Sequence, residues 1–350
     1  MSFNTATTPS NDAFGSAALA ALLGPDTSLP PIDGLRRLIA AGLDRLPLPG
    51  HGATLQRWQA LAAIAGVDLA LLKLYEGHTD ALAILAEIDG PGAAPGSSWG
   101  VWCAEMPGAR LALRKTAQGH WQLTGRKAWC SGAAGLSHAL VSCWNEAGEA
   151  CLASVALAQP GVQVTQEGWQ AVGMAGSASV DVVFSSAHAT PVGAPGAYLA
   201  RPGFWHGGAG IAAGWYGAAC AMAGYLHARA AQAAAPDPLR LAQLGQIDCA
   251  LRAAGALLRE GAREIDQHPQ RDAMATALRL RLAAEDCATV VLRLATRALG
   301  AGPLCRNAHF ARLAADLPVL LRQSHAERDQ ATLGTIVAGV AGVADHPWSL

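Results

Sequence analysis

The chain has 350 residues, with 25 Lys and Arg against 26 Asp and Glu, and 51% of it is hydrophobic. That composition excludes disorder as a description of the whole, and the length leaves room for two or three structural units. A near-neutral balance, with Lys73, Lys115 and Lys127 as the three lysines, lacks the electrostatic footprint of a nucleic-acid binder.

The opening residues 1–16 are polar, without a basic stretch leading into an apolar one, so no secretory leader is expected and the chain reads as cytoplasmic with reduced thiols. Residues 32–41 and 55–72 place apolar side chains at helical spacing, and Pro47, Pro49, Gly50 and Gly52 interrupt them. The Gly/Pro/Ser run at 90–98 closes this zone and sets an N-terminal helical domain at 1–97. From 98 to 200 the texture changes to strands. Residues 109–115, 121–125, 139–144, 152–157 and 180–184 are short alternating or apolar runs separated by turn residues such as Gln118-Gly119, which predicts a compact antiparallel β-domain.

From 201 to 350 the pattern is helical again. Helices are expected at 209–234, through Leu244, Ile247, Leu251, Ala254 and Leu258, at 275–299, and at 317–341, which is enough for a four-helix bundle. Residues 209–226 carry no charge. They are built mainly of Ala and Gly without flanking basic anchors, so a buried helix is expected there in place of a membrane span. The eight cysteines show no CxxC spacing, and the dispersed histidines no zinc motif, so no metal site is expected. Phosphate-binding glycine motifs are absent as well.

One segment stands out: Leu123-Thr124-Gly125-Arg126-Lys127-Ala128-Trp129-Cys130-Ser131-Gly132. A strand ends in a turn that carries a Trp, then a hydroxyl two residues on, then a glycine. Upstream lies Trp102-Cys103-Ala104-Glu105-Met106-Pro107-Gly108, and downstream Gly173-Met174-Ala175-Gly176-Ser177-Ala178-Ser179-Val180-Asp181-Val182-Val183-Phe184. In this order and spacing the segments resemble the middle domain of the acyl-CoA dehydrogenase family. Ala298-Leu299-Gly300-Ala301-Gly302 is similar to that family's GGxG turn.

The resemblance implies a helical domain, a central β-barrel or sandwich, and a C-terminal four-helix bundle (α+β, mainly α), assembled as a homodimer or homotetramer away from membranes. It implies a flavin, FAD with FMN as the alternative. Trp129 would lie against the isoalloxazine, Ser131 would donate a hydrogen bond near N5, and the backbone at Cys103 and Ala104 would meet the pyrimidine edge. Arg297, Gly300 and Gly302 would approach the cofactor of a neighbouring subunit. The leading reaction is oxidation of a CH–CH bond in an acyl substrate such as an acyl-CoA. The alternatives are oxygen insertion by reduced flavin, and flavin binding without turnover.

The chain departs from the family's pattern in several places. No Ser-Asp follows Pro107-Gly108, the usual Arg and Phe are missing from 230–236, and Arg297 replaces a Gln. The family's glutamate base falls at Ser324, and its alternative position near Gly207. The candidates for acid–base work are therefore His325, Glu327 and His206, set against the plainer expectation that 323–329 is a solvated charged face. His78 and His309 are expected to be structural.

Overall fold

A computed structural model describes residues 9–24, 29–88, 90–340 and 348. The chain opens with helices α1 (Ser16–Leu23), α2 (Pro31–Ala40), α3 (Thr54–Val67) and α4 (Leu69–Glu87). The sequence pattern runs on as one helix from 55 to 72, but the structure breaks it at Asp68. That residue is extended at φ −161°, and its carboxylate accepts the Leu71 N–H at 2.7 Å to start α4.

Seven strands follow: β1 (Trp99–Trp102), β2 (Leu111–Lys115), β3 (Trp121–Cys130), β4 (His138–Trp144), β5 (Ala150–Ala156), β6 (Val162–Val164) and β7 (Val180–Pro191). They run in the order β1-β4-β2-β3-β7-β5, β4 also pairs β5, and β6 joins β7. The β4–β5 pairing closes the sheet into a barrel. Most pairs are antiparallel as expected, whereas β1 and β2 meet β4 in parallel. β1 and β6 are strands that the period-two pattern misses, being four and three residues long.

The helical second half comprises α5 (Ala197–Ala200), α6 (Gly203–Ala231), α7 (Pro238–Gln267), α8 (Met274–Leu299), α9 (Ala301–Arg306), α10 (Ala308–Leu320) and α11 (Glu327–Val340). α6, α7 and α8 pack on one another, and α11 lies along α8 as the fourth member of the bundle. α6 is the uncharged small-residue helix. It also packs against α3, so closely that a Cβ on Gly217 would stand 2.2 Å from the Ala62 carbonyl oxygen. Among the described residues no helix is long and apolar enough to cross a membrane.

One helix expected at 317–341 is instead two, with Ala341 outside the described residues. Leu321–Gln323 tightens into a 3₁₀ turn, Ser324 is extended, and Ala326 sits at φ +46° before α11 begins. The barrel is fixed to this half through the 173–179 loop, where the Met174 N–H donates to Asp316 Oδ1 at 2.5 Å. Burial holds the Asp316 carboxyl above its ordinary range.

Candidate functional site

The end of β3 builds the centre of the site. The β3–β7 register shifts between Lys127 and Cys130, a bulge that re-aims the chain. Trp129 adopts φ +59° there and leaves its indole 43% exposed, the one large ring of the barrel so displayed. Left-handed backbone at a Trp costs free energy, and Met174 and Ala178 close by share it at φ +59° and +41°. Strained backbone of this kind is maintained by its surroundings. Gly132 packs under α4, where an added Cβ would meet Leu74 Cδ2 at 2.7 Å, and its N–H donates to Ser177 O.

Ser131 belongs to a row of buried hydroxyls. Its Oγ lies 2.7 Å from Ser179 Oγ, Ser179 Oγ lies 2.9 Å from Ser177 Oγ, and Ser177 Oγ donates to Met174 O at 2.8 Å. At the end of β1 the Trp102 indole N–H donates to Ser131 O at 3.2 Å, which places Cys103 and Ala104 beside the turn. Ala104 is exposed and Cys103 half-buried. The Cys103 thiol is pushed up to about 11 by burial, with Lys127 and a hydrogen bond to Tyr198 opposing. It is therefore no thiolate nucleophile at neutral pH. Lys127 is buried, its Nζ 3.0 Å from Glu105 Oε1 and 2.7 Å from Ser142 Oγ.

α4 forms the wall above. Lys73, Glu76 and Asp80 share one face of it. Lys73 Nζ is 3.2 Å from Glu76 Oε2, and the buried Arg57 reaches Asp80 Oδ1 at 2.7 Å. Asp80 faces the start of α6, its carboxylate oxygens 3.9 Å from where a Gly207 Cβ would be. Burial raises the Glu76 carboxyl above its usual range, Lys73 opposes this, and Asp80 adds to it. Arg281 on α8 also acts on Glu76. Its guanidinium donates to Gly208 O at 3.0 Å and to Gln323 O at 2.7 Å and lies over the Trp215 ring. One side chain thus ties the start of α6 to the turn before Ser324. Sequence reading missed Glu76, Asp80 and Arg281. The signal available was three charges at i, i+3 and i+7 inside the otherwise apolar 69–85.

The break at 321–326 presents the expected acid–base candidates. Ser324 is buried, and its Oγ accepts the Ala326 N–H at 3.1 Å, so this position offers no base. His325 is 63% exposed, with Nδ1 3.4 Å from Asp329 Oδ1, and its main-chain N–H donates to Asp329 Oδ2. Glu327 is exposed at the first position of α11. His78 and His309 are structural as expected. His78 joins Asp44 to the Trp99 N–H, and His309 spans from Tyr225 OH to Gly66 O.

His206 is turned elsewhere. It is buried against the 47–53 loop, where an added Gly50 Cβ would come 3.0 Å from its Nδ1, and its Nε2 has no hydrogen-bond partner among the described residues. Burial lowers its pKa below the ordinary 6.5. The unfolded chain therefore takes up the proton first as pH falls. The stability due to neutral His206 is complete above pH 6.5 and is lost as pH drops toward the folded value. His138, also lowered by burial, adds in the same direction. Urea unfolding of wild type and His206→Gln between about pH 7.5 and 5.5 is expected to show a steeper acid loss in wild type. Parallel pH curves would show that His206 titrates normally.

Arg297, Gly300 and Gly302 lie apart from all of this. Gly300 ends α8 at φ +69°, Arg297 is exposed, and nothing stands within 4 Å of an added Cβ at either glycine. At the helical rise, Gly300 is about 28 Å along α8 from Arg281, so within one chain the two ends of α8 serve different places. Among the described residues no His, Cys, Asp and Glu cluster could hold a metal ion.

No family model and no curated protein matches the sequence. Solved structures do. The chain is similar to KijD3, solved with FMN and a dTDP-linked amino keto-sugar, at 19% identity and TM-score 0.78, over 97% of this chain and 96% of that one. It is similar to butyryl-CoA dehydrogenase from Megasphaera elsdenii at 16% identity and TM-score 0.76, over 97% and 100%. It is also similar to the dibenzothiophene monooxygenase TdsC from Paenibacillus sp. A11-2 at 21% identity and TM-score 0.68, over 87% and 88%. Helical domain, barrel and bundle are thus those of the acyl-CoA dehydrogenase fold, as the motifs predict.

Proposed function

We propose that this chain, built on the acyl-CoA dehydrogenase fold, is a flavin-dependent oxidoreductase whose reaction is oxygen insertion into a polar substrate. The flavin reading rests on the fit of the turn. An exposed indole held at φ +59° offers a flat ring a flat platform, and Ser131 stands two residues beyond it. Cys103 and Ala104 would meet the pyrimidine edge with their main chain. When bound, the flavin supplies the redox step, and the protein supplies position and electrostatics. FMN asks nothing beyond one chain, whereas FAD asks for Arg297, Gly300 and Gly302 of a second copy. Mass analysis of the cofactor released from the purified protein distinguishes the two.

The observation that carries the choice of reaction is the charged wall of α4. Lys73 pairs with Glu76 and Asp80 with Arg57, and a saturated acyl chain packed against them would strip the water that still reaches these partly exposed groups. A polar substrate can replace that water with hydrogen bonds of its own. In this reading Asp329 orients the His325 ring through Nδ1 and leaves Nε2 to exchange a proton with the substrate.

The second reading, CH–CH oxidation of an acyl group, is favoured by Asp80. Its carboxylate lies beside Gly207, where the resemblance allows a base. One experiment separates the two readings. Acyl-CoA thioesters of several chain lengths, added anaerobically to the flavin-loaded protein, are expected to leave its absorbance unchanged. The prereduced protein in air is expected to recover that absorbance more slowly than His325→Ala does. Bleaching by a thioester, lost in Asp80→Asn, would establish the dehydrogenase reading instead.

A further inference from the structure

The direction of the hydrogen bonds along the serine row fixes what Ser131 can offer the flavin. Each hydroxyl has one proton and two lone pairs. Ser177 Oγ is 2.8 Å from the Met174 carbonyl oxygen. A carbonyl only accepts, and two oxygens at that distance repel unless a proton lies between them, so the Ser177 proton is committed there. The 2.9 Å contact between Ser177 and Ser179 must then use the Ser179 proton. The 2.7 Å contact between Ser179 and Ser131 must in turn use the Ser131 proton. All three hydroxyls are buried, Ser177 at 1%, Ser179 at 5% and Ser131 at 9% exposure, so water does not readily rewrite the sequence of donors.

We infer that Ser131 is a hydrogen-bond acceptor toward the cofactor site, and that Ser179 and Ser177 are positioning residues that make the protein bind reduced flavin in preference to oxidised. This rests on the reading that a flavin lies against Trp129. Oxidised flavin has a bare N5 that only accepts, so it would meet a lone pair of Ser131 without a proton between them. Reduced flavin carries a proton on N5 and donates it to that lone pair. The row therefore reverses the role that the sequence pattern assigns to Ser131, and it suits a protein that receives flavin already reduced by an outside reductant.

The test is the ratio of dissociation constants for oxidised and dithionite-reduced FMN and FAD, measured anaerobically by quenching of tryptophan fluorescence. Wild type is expected to hold the reduced form about tenfold more tightly, the size of one hydrogen bond made or lost. Ser179→Ala frees the Ser131 proton to turn toward N5, and the preference should fall about tenfold. Ser179→Thr, which keeps the hydroxyl, should restore it. Ser177→Ala releases the same constraint one step further back and serves if Ser179→Ala does not fold. A general loss of structure would weaken both redox forms alike and leave the ratio where it was. Equal or tighter binding of oxidised flavin by wild type, or an unchanged ratio in alanine variants whose circular dichroism and urea midpoint match wild type, would overturn the inference while leaving the flavin reading intact. Binding of neither form would overturn both.

Discussion

Arg281→Ala is expected to destabilise the protein by about 2–4 kcal/mol, the scale for taking a charged donor away from two carbonyl oxygens. The guanidinium is largely buried, and burial lowers its pKa against the pull of Asp329, Glu76 and Glu285. Its removal takes the charged donor away from the Gly208 and Gln323 carbonyls and one cation from the field around those carboxylates. It also uncovers one face of the buried Trp215. Arg281→Lys keeps the charge but cannot fork between two carbonyls, so it should recover part of the loss and no more. Urea midpoints at constant slope give the comparison. A loss under about 1 kcal/mol for the alanine variant would mean that the tie between α6 and the Ser324 turn carries little.

The second large effect concerns Trp129. Its indole is exposed and held by the surrounding backbone, so Trp129→Ala should leave folding nearly unchanged. It removes the platform for a flat ring, a loss of about 2–3 kcal/mol of aromatic burial, which is about 30- to 150-fold in flavin affinity. Trp129→Phe keeps a ring and should lose only a small part of that. Flavin titration by fluorescence checks both variants. Undiminished affinity in Trp129→Ala would place any flavin elsewhere.

Much of this was legible from residues alone. The Trp129–Ser131 turn could be read because its neighbours, Trp102–Gly108 and Gly173–Phe184, recur in a known order. The long helices could be read because apolar spacing near 3.6 persists over many turns. Other features could not. A helical period runs straight through Asp68, and the capping carboxylate that breaks it is a common residue. The turn at 321–326 hides for the same reason, because Pro318 lies inside α10 and the left-handed position is an alanine. The parallel pairing of β1 with β4 joins strands far apart in sequence, and no local pattern encodes it. Glu76, Asp80 and Arg281 come from α4 and α8 and meet only in the folded chain. The donor order of Ser131, Ser179 and Ser177 needs interatomic distances, so the family resemblance alone implied the opposite role for Ser131.

A crystal structure of the protein grown with flavin under reducing conditions tests the arrangement at its centre. The isoalloxazine is expected to lie flat against the Trp129 indole, with N5 within hydrogen-bond distance of Ser131 Oγ and the pyrimidine edge on the main chain of Cys103 and Ala104. Flavin bound away from Trp129, or a Trp129 face left bare under saturating flavin, would contradict it.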